Sequence, residues 1–174
     1  MRLFVALALP ALVRGALAAW AVEAAPAAMR RVPAENLHVT LAFLGSLAEE
    51  DAAAVARVLA EVARPVGALA VDGALWLPPR RPGVLSVALR GRPALGELHA
   101  DLVAALAGTI GFEPERRALR PHVTVARARG RERVRPVALE PEPPPLEFEA
   151  EGLVLLRSHT GGPGGSRYEA LARA

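Results

Sequence analysis

With 174 residues, 52% of them apolar and 22% charged, the chain can bury a sizeable core and has the balance of an ordinary globular protein. It contains no cysteine, which excludes disulfides, a thiolate nucleophile and thiolate metal sites. The net charge of +3 permits an anionic ligand without demanding nucleic acid, and the pI of about 10.8 reflects arginine, since all 21 basic residues are of that type.

Leu3, Val5, Leu7 and Leu9 recur at period two, which predicts a strand over Arg2–Leu9. Pro10 then opens a helix ending near Pro26, with Leu12, Ala16, Ala19 and Trp20 at helical spacing. The same stretch shares an early arginine, an apolar run and small residues with secretory signals, but period two and Pro10 favour a strand and a helix. No uninterrupted apolar run of about 18 residues exists, so neither a spanning helix nor a membrane partner is expected, and the expected location is cytoplasmic.

Leu37–Leu44 reads as the next strand. Ser46 followed by Glu49 has the form of a capping box, opening a helix with Val55, Val58, Leu59 and Val62 on one face. Ala68–Trp76 and Val84–Leu89 are strand-like runs joined by "LPPRRPG", which carries Arg80 and Arg81. A third helix starts at Pro93, turns Leu95, Leu98, Leu102 and Leu106 inward, and ends near Gly108–Gly111. His122–Ala128 is a strand. The proline-rich "EPEPPPLEFE" leads into another over Gly152–Arg157, and "GGPGGS" precedes a last one around Arg167–Ala172. Strands and helices in this order predict an α+β fold.

One phrase is written twice. His-Val-Thr-apolar begins at His38 and again at His122, 84 residues on (122 − 38), as a two-lobed pseudo-symmetric molecule would show. In a strand, residues i and i+2 share a face about 6.5–7 Å apart, so His38 joins Thr40 and His122 joins Thr124, while Val39, Leu41, Val123 and Val125 anchor from behind. Two such strands facing each other across a cleft would gather two imidazoles and two hydroxyls. One imidazole neutral and one protonated can act as general base and general acid, with the hydroxyls on non-bridging oxygens. Opening of a strained cyclic phosphate fits: water attacks in line and the leaving sugar oxygen takes a proton. Neither a metal nor a cofactor is required, and H-x-T does not match common zinc spacings. Strict alternation puts Arg127 on the wrong face unless a bulge or strand end redirects it.

A lone strand histidine is more often structural than catalytic, but two in matching strings weigh against that. Taken with "MRLFVALALP", "PAENLHVTLAFLG", "RRPGVLSVAL", "LRPHVTVARAR" and "LLRSHTGGPGGSRYEALAR", the chain resembles the two-histidine (2H) phosphoesterase superfamily. Within it the likeness is to the RNA 2′,3′-cyclic phosphodiesterases, also called 2′-5′ RNA ligases, over nearly the whole length. The resemblance implies one bilobal domain over residues 1–174, with two antiparallel sheets lining a central cleft and helices outside. It implies metal-independent hydrolysis of 2′,3′-cyclic phosphate ends of RNA or oligonucleotides to 2′-phosphates, with reversible 2′-5′ joining as a side reaction and a monomer sufficient. His38 and His122 become the catalytic pair, with His122 the base and His38 the acid. Thr40, Thr124 and Arg127 become phosphate contacts.

Two other functions stay open: a nucleotide-binding module without turnover, and a related phosphodiesterase acting on another cyclic or ADP-ribose-derived phosphate. Phe43, expected beside Val39 and Leu41, reads as core rather than as a base-stacking platform. Arg80 and Arg81 read as a solvated hairpin tip, His159 as structural or exposed, and His99 as a non-catalytic helix residue. Arg120 is open between an RNA phosphate contact and a solvated side chain; Tyr168 is open between cleft and sheet end.

Overall fold

The period-two residues form β1 (Arg2–Ala8), with Leu3, Val5 and Leu7 in the main core and Phe4 and Ala6 on the opposite face. In α1 (Ala11–Ala24) the buried stripe is Val13, Leu17, Trp20 and Ala21. Leu12, expected inward, is 88% exposed. An alanine-rich helix has little contrast between its faces, so packing against the sheet chooses the stripe. The computed structural model describes residues 1–79, 82–115, 117–130, 134–162 and 165–174, of which 160–162 and 165 by backbone alone. Arg80 and Arg81 lie outside the described residues.

Next come β2 (Met29–Arg31), a 3-10 turn (Ala34–Asn36) and β3 (His38–Ser46). α2 (Glu49–Val62) starts later than the Ser46 signal implied. Ser46 ends β3, and the N–H of Ala48 donates to Asp51 Oδ2 at 3.3 Å. Alanine offers no acceptor in return, so the cap is one-sided. β4 (Leu69–Leu77) and β5 (Val84–Arg90) form the expected hairpin. α3 (Pro93–Ile110) buries Leu95, Leu98, Leu102 and Leu106, and Gly111 closes it at φ 65°, a left-handed conformation suited to glycine. β6 (His122–Ala128), β7 (Glu147–Phe148), β8 (Leu153–Gly162) and β9 (Gly165–Arg173) complete the chain.

All pairings are antiparallel, in the order β7-β4-β5-β6-β3-β1-β8-β9, with β2 added to β6. The two expected sheets are halves of one curled ladder, and the halves meet at a single residue pair, Val39 with Val123. These are corresponding residues of the two H-V-T strings, so a pseudo-two-fold axis runs between them. About that axis β1–α1–β3 matches β5–α3–β6; β8 and β9 extend one half as β4 and β7 extend the other. α2 and β2 have no counterpart.

Leu17, Leu59 and Leu98 from the three helices share one core with Val5, Val39 and Val123 of the sheet. The other face carries the small cluster Phe4, Ala6 and Val154, of which Phe4 lines a cleft. Arg31 donates to the carbonyls of Ala21 (3.2 Å), Val22 (3.1 Å) and Ala25 (3.3 Å), capping the C-terminal end of α1. Trp20 Nε1–H donates to Pro141 O at 2.8 Å and pins the proline-rich connector to α1. Among the described residues no helix is long and apolar enough to cross a membrane.

Candidate active site

The two motif strands are backbone copies. His38–Phe43 and His122–Arg127 both run half-buried, buried, half-buried, buried, buried, exposed. Two successive buried residues mark an extra residue in the strand. The ladder steps from Ala6–Thr40 to Val5–Ala42, and from Ser86–Thr124 to Leu85–Ala126, leaving Leu41 and Val125 as bulge residues. Each bulge reverses the facing of the residues after it, because a one-residue slip exchanges faces. Phe43 is therefore not core: it is 64% exposed and lies on the face of His38 and Thr40. The same slip returns Arg127 to the face of His122 and Thr124.

A bulge leaves a backbone carbonyl to be satisfied from outside the ladder. His99 Nε2–H, on α3, donates to Leu41 O at 3.2 Å. The Val32 N–H donates to Val125 O at 2.8 Å. His99 thus has a structural task in shaping the first motif.

His38, Thr40, His122, Thr124 and Arg127 all line one cleft of about 600 Å³. The histidines are held alike. His38 Nδ1–H donates to Asn36 O at 2.7 Å, and His122 Nδ1–H donates to Arg120 O at 2.8 Å, in each case two residues back. A carbonyl only accepts, so it fixes the proton on Nδ1 of the neutral ring and leaves Nε2 as the accepting nitrogen. The strands are neighbours rather than opposed walls. Extending the Val39–Val123 register by one residue sets His38 against Thr124 and Thr40 against His122; pairing stops there, and the divergence opens the cleft.

The hydroxyls are oriented differently. Thr40 Oγ1–H donates to His38 Nε2 at 3.1 Å. Thr124 Oγ1 lies 3.4 Å from Ser86 Oγ, and Ser86 is 0% exposed. At the matching place across the axis stands Ala6. The His38 ring packs against Phe4 (centroids 4.9 Å apart) and the edge of Tyr168 (5.3 Å). This burial lowers its pKa from 6.5 to about 4, against the raising effect of the Asn36 carbonyl and with further lowering by the Arg127 guanidinium and by the electrostatic coupling of the two imidazoles. His38 is neutral at pH 7.

Other candidates resolve plainly. Tyr168 belongs to the cleft wall. His159 Nε2–H donates to Glu169 Oε2 at 2.8 Å on the β8–β9 hairpin, which holds the Glu169 carboxyl below its usual range. The exposed Arg120 borders a second, more apolar hollow of about 530 Å³ along the free edge of β3, lined also by Phe112, Val103 and Leu119 and sharing Thr40, Phe43 and His122 with the cleft. Sequence reasoning passed over Asn36, whose buried Nδ2 donates to Ser166 O at 2.9 Å, and Ser86. The available signal for Ser86 was one hydroxyl inside the apolar run "VLSVAL". Among the described residues no group of three or more His, Asp or Glu side chains is arranged to hold a metal ion.

A family model described as the 2′-5′ RNA ligase superfamily matches residues 10–162. The RNA 2′,3′-cyclic phosphodiesterase of Escherichia coli (strain K12) is 35% identical over 129 residues, covering 72% of this chain and 71% of that protein. A protein of the same name from Aeropyrum pernix is 36% identical over 105 residues, covering 59% of this chain and 58% of that protein. Among solved structures, one from Thermus thermophilus superposes with a TM-score of 0.83 at 29% identity, over 99% of this chain and 96% of that one. Escherichia coli LigT complexed with 3′-AMP superposes with a TM-score of 0.77 at 29% identity, with the same coverage of 99% and 96%.

Proposed function

The chain belongs to the 2′-5′ RNA ligase superfamily, and from that membership we propose that it hydrolyses 2′,3′-cyclic phosphate ends of RNA to 2′-phosphates, with His38 and His122 as paired acid and base. The observation that carries this reading is the convergence of both histidines, both threonines and Arg127 on one cleft. The names of its relatives support the same substrate class.

The cyclic phosphate sits between the two H-x-T strands, its non-bridging oxygens on Thr40, Thr124 and the Arg127 guanidinium. His122 Nε2 takes a proton from water, whose oxygen forms a bond to phosphorus. The bond to O3′ breaks in line, and O3′ takes a proton from His38 Nε2. The ring opens and the 2′-phosphate remains. A 5′-hydroxyl in place of water would give a 2′-5′ phosphodiester by the same transfers.

His38 is neutral before substrate binds, so the acid role requires it to gain a proton as the phosphate anion arrives. An adjacent anion favours imidazolium. Protonation of Nε2 would also reverse the Thr40 hydrogen bond, freeing that hydroxyl proton for a phosphate oxygen.

The test is incubation with adenosine 2′,3′-cyclic phosphate and analysis of products. The expected product is adenosine 2′-phosphate alone, at a rate unaffected by chelators. Binding without ring opening, or a 3′-phosphate product, overturns the reading.

A further inference from the structure

β2 sets a second cation beside Arg127. Arg30 stands directly opposite Arg127 in the β2–β6 ladder. Opposed residues of an antiparallel pair project from the same face, here the face of His122 and Thr124. The neighbours of Arg30 go the other way: Met29 is wholly buried in the core and Arg31 caps α1. Like charges directly opposite each other on paired strands are destabilising. Among the described residues, neither guanidinium has a carboxylate within ion-pair distance. Both line a shallow hollow with Asn36, Ser166 and Tyr168, and Arg127 and Tyr168 also line the cleft, so the hollow continues it.

Resting on the hydrolytic reading above, we infer that Arg30, with Arg127 as the bridge, forms a subsite for the phosphate on the 5′ side of the terminal nucleoside. The protein then recognises an RNA end by two successive phosphates rather than by the cyclic phosphate alone. The cleft has the polarity this requires. At the position matching Arg127 across the pseudo-axis stands Phe43, and beyond it lies the apolar hollow of Phe112 and Leu119. Sugar–phosphate backbone leads toward β2, while a base finds its apolar wall at the free edge of β3.

The experiment compares adenosine 2′,3′-cyclic phosphate with the same nucleotide carrying a 5′-phosphate, in the wild type and in Arg30→Gln. The wild type is expected to favour the 5′-phosphorylated substrate about tenfold or more in kcat/KM, mainly through KM. In Arg30→Gln that ratio falls toward one, and in the wild type rising salt shrinks it. The variant should unfold at a temperature no lower than the wild type, since it loses a like-charge contact. Wild-type turnover of both substrates without preference, or a variant in which both rates fall in equal measure, overturns the subsite while the proposed reaction stands. A wild type inert on both substrates overturns the reaction itself, and the subsite with it.

Discussion

The β3 half and the β6 half share a strand, a bulge and a backbone carbonyl that holds the histidine, yet they part at the residues around them. His38 is walled by Phe4 and Tyr168, and burial lowers its pKa. His122 has no matching aromatic neighbour among the described residues. Thr40 turns to its own histidine, whereas Thr124 turns to Ser86. After the bulge one half presents Phe43 and the other Arg127. Beyond them the edge of β3 lies open to an apolar hollow, while the edge of β6 is covered by β2. In the proposed reaction, backbone symmetry fixes where a phosphate can be gripped from two sides, and side-chain asymmetry decides which way a substrate lies.

Removing either histidine should abolish the comparison altogether. His38→Ala and His122→Ala are each expected to lose about 10²-fold or more in kcat on adenosine 2′,3′-cyclic phosphate. The double variant should lose less than the product of the two, because acid and base act as a unit. Near-normal turnover in either single variant would falsify the paired scheme.

The buried character of His38 should show in pH dependence. Its folded pKa of about 4 lies below its ordinary 6.5. Between those values the unfolded chain binds a proton that the folded chain does not. Stability from this group is therefore complete above pH 6.5 and is lost as pH falls toward 4. Chemical denaturation across that window should give a slope that His122→Gln keeps and His38→Gln removes. Because kcat/KM reports the free enzyme, its pH profile should correspondingly contain a titration near pH 4. A slope that survives in His38→Gln would place the titration on another group.

Position 43 against position 127 sharpens the asymmetry with smaller effects. Arg127→Gln should lower kcat/KM by about tenfold or more, through the reacting phosphate. Phe43→Ala should act mainly on KM, by about fivefold or more if a base stacks there. Equal losses in kcat from both variants would show that the halves are not divided between phosphate and base.

The smallest expected effect comes from His99→Leu, which removes the donor to Leu41 O and leaves the Val125 bulge untouched. Leaving that carbonyl unpaired should cost about 1–3 kcal/mol in stability. KM should rise a few-fold as Phe43 loses its placement, with kcat near the wild-type value. A fall in kcat with KM unchanged would instead tie His99 to the chemistry.

The elements with strong periods were legible. The leucines of α3 recur over about three turns, and β1 alternates without a break, so hydrophobic spacing alone identified both. β2 and β7 were invisible because two or three residues carry no period. Phe43 was misread because alternation assumes an unbroken ladder, and nothing local in "HVTLAF" announces that Leu41 is an extra residue. The stripe of α1 was misplaced for the opposite reason: alanine fits either face, so only the sheet beneath could choose.

What the chain determined by itself was the pair of matching strands and the chemistry they bear, because a histidine and a threonine two apart in a strand must share a face. The meeting of those strands at Val39 and Val123, the bulges that turn Phe43 and Arg127 into the cleft, the aromatic wall on His38 and the arrival of Arg30 beside Arg127 were decided by tertiary structure. Each depends on which distant segments pair and in what register, and that is set by the packing of the whole core rather than by the pattern of any one stretch.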